Sequence, residues 1–513
     1  MRRLLIVAAA VALCRASRPP ATLVVVGGGA AGFFGAITAA SAAPEMRVLL
    51  LEASSNVLTK VRISGGGRCN VCHDDTKDSS TLAAGYPRGE RTLLGAFSRF
   101  GASDATAWFR SRGVELKTEA DGRMFPTSDS SETIVNALRD AADDLGVEVQ
   151  CRSRVVSVHR TSPAEGDDNE PTAEAEQAED GPLTAADERF EIVYETAAGG
   201  GDRENVRVGC RSILVATGGT RDAHRLLERD LAVRLVPSVP SLFTLDLAPN
   251  EITDGLAGVS VPDARVRLHW PAEAQGGGGG GGKAGGGGSD AAAADGGAGG
   301  KTKRRRGGRG GGASKFEASG PCLITHKGLS GPACLRLSAF AARELAEREY
   351  RGELQVNWAA TMQEESVLEA CRGFAARSPK RAVRGYSPVG LPKRLWSNLA
   401  SSAEIEADAT WAAVSKAKLR ALARAVTASR LRFVGKSTNK DEFVTAGGAD
   451  LKELSTRTFE AKAVPGLFLA GEVLNHDGIT GGYNFLNAWS TSWSAGVAIA
   501  EDAHALSQRE AES

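Results

Sequence analysis

The segment Thr22–Glu52, TLVVVGGGAAGFFGAITAASAAPEMRVLLLE, constrains the fold of this chain more than any other. Leu23–Val26 is a short β-branched apolar run and reads as a buried strand. Gly27-x-Gly29-x-x-Gly32 follows at once, and Gly35-Ala36-Ile37 continues as a small-residue helix. Arg47–Leu51 is a second apolar strand ending on Glu52, twenty residues after Gly32. Strand, glycine turn, helix, strand and terminal acid in this order form a dinucleotide-binding half-domain. Gly27 permits the tight turn, Gly29 lets the backbone approach a pyrophosphate, and Gly32 lets the helix pack on the strand. The helix N-terminus offers unpaired N–H groups and a positive dipole end to phosphates. Glu52 can accept hydrogen bonds from ribose hydroxyls and repels a 2′-phosphate.

At 513 residues the chain can hold two or three domains. Lys+Arg and Asp+Glu are both 62, so overall charge points to no nucleic-acid or membrane partner. No run reaches the roughly 20 apolar residues of a membrane span. The start of the chain has a targeting pattern: Arg2-Arg3, then apolar Leu4–Leu13, with no acid before Glu45. Residues 1–20 are therefore expected to direct the chain to an organelle or a secretory route, with a cytoplasmic location as the alternative. The eight cysteines (14, 69, 72, 151, 210, 322, 334 and 371) form no spaced framework and are expected to be reduced.

Three segments are expected not to fold. Ala164–Glu188 carries ten acids and no base, between strand-like runs at Val155–Val158 and Phe190–Tyr194, and reads as an expanded hairpin loop. Gly276–Gly312 holds twenty of the sixty-one glycines and ends in Lys301-x-Lys303-Arg304-Arg305-Arg306-Gly-Gly-Arg309. With no aromatic residue to stack on bases, that patch reads as a solvated insertion rather than a nucleic-acid contact. The tail after about Ala505 is polar and expected to fray.

Elsewhere the pattern is α/β. Ser212–Ala216 runs into Thr217-Gly218-Gly219, and Gly466–Ala470 runs into Gly471-Glu472. With Val26-Gly27 these make three strand–glycine junctions, where a nucleotide fold collects its binding groups. Their wide spacing favours one domain built from both ends of the chain, with an insert between. Glu132–Leu145 has helical spacing, as does Leu486–Ala500, where Trp489 and Trp493 lie one turn apart and are expected to pack inward. Ser64-Gly65-Gly66-Gly67-Arg68-Cys69-Asn70 is a second glycine-rich loop, whose N–H groups can converge on an anion or a ring edge. Arg68 can fork onto a phosphate, with Lys60 and Arg62 adding charge upstream.

Several longer motifs then bear on identity: KVRISGGGRCN at Lys60–Asn70, GRMFP at Gly122–Pro126, ATGG at Ala216–Gly219, THKGLSGP at Thr325–Pro332, VTAGG at Val444–Gly448 and GLFLAGEVLN…GGYN at Gly466–Asn484. Together they resemble the BaiN/YhiN-like family of FAD-dependent, NAD(P)H-using oxidoreductases of the two-dinucleotide-binding-domain flavoprotein class. The resemblance runs from about Leu23 to Ala500. It implies a Rossmann-like FAD-binding domain split in sequence (21–234 and 435–505) around an inserted β-barrel plus helical domain (235–434). It also implies roles. Gly27, Gly29, Ala31 and Gly32 hold the pyrophosphate, and Glu52 the adenosine ribose. Lys60, Gly66, Gly67, Arg68 and Cys69 lie along the flavin side, and Val155 touches adenine through its backbone. Ala216, Thr217 and Gly218 close the second junction. Gly471-Glu472 sits at the ribityl chain, where flavoproteins of this class usually carry Gly-Asp. Gly482 and Asn484 cap the helix facing the isoalloxazine, and the insert near His326–Pro332 roofs the substrate. The chain departs from the family at Thr220–His224 and Asn475–Gly478.

The reading is an oxidoreductase moving hydride between FAD and a small organic substrate, with NAD(P)H as donor. Two alternatives stand beside it. One is a non-catalytic dinucleotide-binding protein acting through its basic glycine-rich loop on RNA. The other is a flavin–dithiol enzyme using Cys69 and Cys72 of Cys69-Asn-Val-Cys72-His73, a pattern that also matches c-type haem attachment. No catalytic acid or base is assigned, no metal-binding pattern appears, and His326 is a loop histidine that could face substrate.

Overall fold

The computed structural model describes residues 21–161, 189–197, 203–269, 316–437 and 444–512. The targeting segment 1–20, the acidic loop 164–188 and the glycine-rich stretch 276–312 lie outside the described residues. These divide into two compact units: 21–244, 334–347 and 436–512 form one, and 245–333 with 348–435 the other.

The first unit is built on a seven-stranded sheet among the described residues. β1 (Ala21–Val26) pairs in parallel with β2 (Val48–Leu51) on one side and β9 (Arg203–Val215) on the other. β6 (Glu148–Gln150) extends it in parallel beyond β2. β7 (Arg154–Arg160) and β8 (Phe190–Ala197) form an antiparallel pair, and β8 pairs with the first part of β9. Near the end of the chain β18 (Leu467–Leu469) joins β9 in parallel. Leu23, Val24 and Val25 are fully buried, as are Ile213, Leu214, Val215, Leu467 and Leu469. These strands are covered on both faces, so they read as continuous apolar runs.

Helix α1 (Ala30–Ala42) returns β1 to β2 and packs along the long C-terminal helix α10 (Tyr483–Glu512). The two approach closely at Gly35 and Gly496, where an added Cβ would press on Ser492 and Thr38 respectively. The frayed tail expected after Ala505 is instead helical as far as Glu512. Its residues, rich in Ala, Glu, Gln and Arg, are strong helix formers despite being polar. Trp489 is fully buried, and Trp493 stacks on Phe100 at 5.2 Å.

Smaller elements complete this unit. β3 (Cys72–His73), β4 (Leu116–Thr118) and β5 (Arg123–Pro126) form a three-stranded antiparallel sheet. β10 (Leu235–Ser241) pairs with β17 (Val444–Ala449). Helices α2 (Thr59–Gly67), α3 (Glu90–Arg99), α4 (Ser131–Asp144), α5 (Arg221–Arg229) and α6 (Pro332–Phe340) connect or cover them.

In the second unit, β11 (Thr244–Leu247), β14 (Gly328–Ser330), β13 (Glu317–Ile324), β12 (Ser260–His269), β15 (Gly352–Asn357) and β16 (Ser429–Ser437) close a barrel in that order. Alternate residues point inward: Ala264, Val266 and Leu268 on β12, Leu354 and Val356 on β15, Leu431 and Phe433 on β16 are buried. Helices α7 (Glu364–Arg377), α8 (Lys393–Ser402) and α9 (Lys416–Ala428) complete it. The architecture is α/β, with a Rossmann-like domain split in sequence and a barrel-plus-helix insert.

Candidate functional site

The carboxyl ends of β1, β2, β9 and β18 are tied at one level. Gly27 N donates to Leu51 O at 2.9 Å, Ala216 N to Val26 O at 2.9 Å, and Ala470 N to Val215 O at 3.1 Å. The three strand–glycine junctions are therefore adjacent. Gly27 has φ +110°, and an added Cβ would lie 2.7 Å from Ala216 O. A Cβ on Gly32 would overlap the carbonyl oxygen of Gly27. In front of Gly29 there is open space, with no heavy atom within 4 Å of an added Cβ.

Gly29 is the N-cap of α1 and supplies no side chain to its free N–H groups, and the first turn carries no acid. An uncapped helix start beside open space, reached by a glycine turn, suits an anion. The Glu52 carboxylate is held at the rim of this cradle: Oε2 accepts from Gly28 N at 2.7 Å and Oε1 from Ser54 N at 2.8 Å. Ser153 N donates to Glu52 O at 2.8 Å, bringing the chain to Val155 on β7. These residues fit a dinucleotide's phosphates and adenosine ribose.

A second group adjoins the cradle. Gly471 faces Ala31, 2.9 Å separating an added Cβ from the Ala31 methyl, and Gly471 N donates to Thr491 Oγ1 at 2.9 Å. Lys60 Nζ donates to Glu472 Oε2 at 2.8 Å, and a Cβ on Gly218 would lie 3.6 Å from that oxygen. Lys60, Gly218 and Glu472 thus meet, although three separate segments supply them.

The SGGGRCN loop is partly helical. α2 runs from Thr59 and breaks at Ser64, after which Gly65, Gly66 and Gly67 take φ of +59°, +70° and +85°. Gly66 and Gly67 face open space. Arg68 turns away from the phosphate role expected of it. Its Nη1 donates to Glu119 Oε1 at 2.8 Å, and its guanidinium lies 3.9 Å over the Phe125 ring. Arg62 likewise pairs with Glu132 at 2.5 Å. A guanidinium satisfied by carboxylate and aromatic face has little left for a phosphate. Nothing in the sequence marked Glu119 as its partner.

Cys69 and Cys72 are fully buried free thiols. Burial pushes each up to about 12, against a smaller opposing effect from Ser64 at Cys69 and from the His73 backbone at Cys72. The thiolate is the reactive form, so burial of both thiols weighs against the dithiol alternative. Haem attachment is disfavoured by the same burial, and His73 is engaged elsewhere. Its Nδ1 lies 2.9 Å from Gly481 O, and its ring stacks on Tyr483 at 4.6 Å. A carbonyl only accepts, so Nδ1 carries the proton and Nε2 a lone pair. Burial lowers the His73 pKa, which keeps the ring neutral.

This histidine stands at the start of α10. There Gly482 packs on the Cys72 carbonyl, too close for any side chain, and Asn484 Oδ1 accepts from Gly478 N at 2.9 Å. Trp489 Nε1 donates to Val71 O at 2.9 Å and fastens the helix to the segment leading into β3. Sequence reasoning singled out Gly482 and Asn484 but missed His73 as their neighbour.

In the second unit, exposed His326 lies with Lys327, Thr325, Asp246 and Asp254 around a cavity of about 740 Å³. Among the described residues, no helix is long and apolar enough to cross a membrane.

Comparison with known proteins decides the family. The HI0933-like protein Rossmann domain matches residues 21–178, and the HI0933-like protein barrel and H2TH domain matches residues 310–444. This chain belongs to the HI0933-like family. It is an FAD-dependent oxidoreductase, as the motifs shared with BaiN/YhiN-like proteins implied. Across 87% of this chain and 90% of its own length, a ribosomal RNA dihydrouridine synthase of Escherichia coli (strain K12) is 26% identical. A 3-dehydro-bile acid Δ(4,6)-reductase of Clostridium scindens is 24% identical over 89% of this HI0933-like chain and 93% of its own. Among solved structures, a 3-ketosteroid-Δ4-(5α)-dehydrogenase from Rhodococcus jostii RHA1 aligns over 94% of this chain and 97% of its own, at 15% identity and a TM-score of 0.43.

Proposed function

We propose that this flavoenzyme reduces a carbon–carbon double bond conjugated to a carbonyl group in a small organic substrate, with NADH or NADPH as electron donor. FAD, when bound, supplies the hydride chemistry. The observation carrying the reading is the meeting of Lys60, Gly218 and Glu472 beside Gly471 and Ala31. It extends the binding groups past the Gly27–Glu52 half, as a cofactor longer than ADP requires. The two curated relatives are named for forming dihydrouridine and for reducing a Δ(4,6) steroid, both saturations of a ring double bond.

The chain's own residues support such a step by binding and orientation. The α1 start and Glu52 hold the ADP half, and Lys60–Glu472 orients the polar chain that follows. The α10 start at Gly482–Asn484 would favour negative charge on the reduced ring through its helix dipole. His73 fixes the Gly481 carbonyl just before that turn and keeps Nε2 available to accept a proton. No second complete GxGxxG with its own acid occurs, so the nicotinamide nucleotide is expected to bind transiently.

A uracil ring carried within RNA is a second reading, favoured by the name of the E. coli relative and requiring the same chemistry. One experiment addresses both. Bound flavin is reduced anaerobically with NADH and with NADPH, then mixed with cyclic enones or with uridine-containing RNA. Reoxidation by an enone, with a saturated product, supports the first reading, and reoxidation by RNA alone supports the second. A reduced flavin that neither class reoxidises, while oxygen does, removes both.

A further inference from the structure

Helix α3 places Arg91, Gly95 and Arg99 four residues apart on one face. Together with Thr92, Thr456 and Arg457 they line a cavity of about 260 Å³ in the first unit. Three arginines surround it and no carboxylate lines it. Several arginines elsewhere in this unit are paired with carboxylates: Arg62 with Glu132, Arg68 with Glu119, Arg88 with Asp477, Arg110 with Asp75 and Arg123 with Asp121. Among the described residues, Arg91, Arg99 and Arg457 have no such partner. The acids flanking Arg457 in sequence are committed elsewhere: Glu453 lies 3.4 Å from Arg234, and Glu460 accepts from Gly466 N at 2.8 Å.

Arg99 is the fixed member. Its Nη2 donates to the carbonyls of Thr456 at 3.2 Å and Arg457 at 2.9 Å, which anchors the guanidinium to the facing segment. Its Nε–H is buried with no acceptor among the described residues. Gly95, lacking a side chain, leaves the space between Arg91 and Arg99 clear. Burial and the neighbouring Arg457 charge both lower the proton affinity of Arg99, as expected of like charges held together in a partly dry cleft. Holding them there costs free energy that a bound anion recovers.

We propose that this pocket binds a tetrahedral oxyanion of the phosphate class, either free phosphate or the terminal phosphomonoester of a nucleotide. The cavity is below the roughly 300–1,000 Å³ of drug-sized ligand sites, which suits a phosphoryl group rather than a whole dinucleotide. One anchored arginine, Arg99, with two exposed arginines and threonines beside it, offers the donors that recognise such an anion.

The test uses the FAD-loaded full chain. Thermal melts are recorded against inorganic phosphate and against 5′-AMP, at ionic strength held constant with NaCl, and repeated on the R91Q/R457Q double variant. Arg99 is left intact because it anchors the fold. Wild type should gain stability saturably with phosphate, and the double variant should bind at least about tenfold more weakly, with unchanged flavin content and visible spectrum. Tighter binding of 5′-AMP than of phosphate identifies the phosphomonoester as the ligand, and equal or weaker binding identifies free phosphate. Equal phosphate responses in wild type and double variant, or a response no larger than that to NaCl, would overturn the proposal.

Discussion

Lys60 Nζ donates to Glu472 Oε2 at 2.8 Å, joining residues 412 positions apart. The Lys60 side chain is 66% exposed, so the pair adds little to stability, at most about 1 kcal/mol. Its value lies in orienting Glu472 where the junction after β18 meets the one after β9. Glu472→Gln keeps the shape and removes the charge. It is expected to leave the apoprotein melt nearly unchanged while weakening FAD binding by about tenfold, measured by fluorescence quenching on titration. Lys60→Met should act in the same direction. Unchanged affinity in both variants would detach this pair from the cofactor.

Gly29 and Gly32 make a paired prediction, since they differ in what surrounds them. A methyl at Gly32 overlaps the Gly27 carbonyl, a backbone atom that cannot swing aside. Gly32→Ala is expected to cost about 1–3 kcal/mol and to abolish FAD retention. A methyl at Gly29 meets nothing in the protein. Gly29→Ala should keep apoprotein stability and lose affinity only, because it intrudes on the open space proposed for phosphate. Denaturant unfolding of the apoproteins, set beside FAD titration, separates the two; equal stability losses would contradict the proposed cradle.

Much of this site was readable in the sequence because its parts are local. A buried strand running into glycine is written in consecutive residues, and three such junctions pointed to β1, β9 and β18 ending at the same carboxyl end of the sheet. The charged groups were harder. Arg68 looked like a phosphate fork because its neighbours are glycines, yet Glu119 lies 2.8 Å from it in space and 51 residues away in sequence. His73 is set by Gly481, another partner hundreds of positions distant. Side-chain pairing depends on which surfaces the fold brings together, and one sequence carries no local trace of that. The barrel was legible only through resemblance, because strands as short as Gly328–Ser330 show too few residues for a period-two pattern.

Cys72 offers a direct check on the dithiol alternative. Its thiol is buried, and burial pushes it up to about 12, so almost no thiolate exists near neutrality. Cys72→Ala is expected to retain turnover within about twofold and to cost roughly 1 kcal/mol of stability from the lost packing. Steady-state NAD(P)H oxidation with the best acceptor found is the measurement. Loss of turnover with FAD still bound would restore the dithiol mechanism.

His476 should make the protein sensitive to mild acid. It is fully buried, its Nδ1 lies 3.1 Å from Asn487 Oδ1, and its Nε2 has no partner among the described residues. Burial lowers its pKa from 6.5 to about 4, with the Asn487 hydrogen bond opposing. Charging the ring would bury an N–H⁺ lacking an acceptor. The unfolded chain therefore takes up this proton at a higher pH than the folded one. The resulting stability is complete above pH 6.5 and is lost as pH falls toward 4. Between pH 7.5 and 5.0 the single site accounts for about 2 kcal/mol. Urea unfolding at those two pH values should show wild type losing about 2 kcal/mol more than His476→Gln. The variant starts from lower stability because a flexible side chain replaces the ring against Phe459, but its pH slope should be shallower. Identical slopes in the two proteins would place the acid sensitivity in other groups.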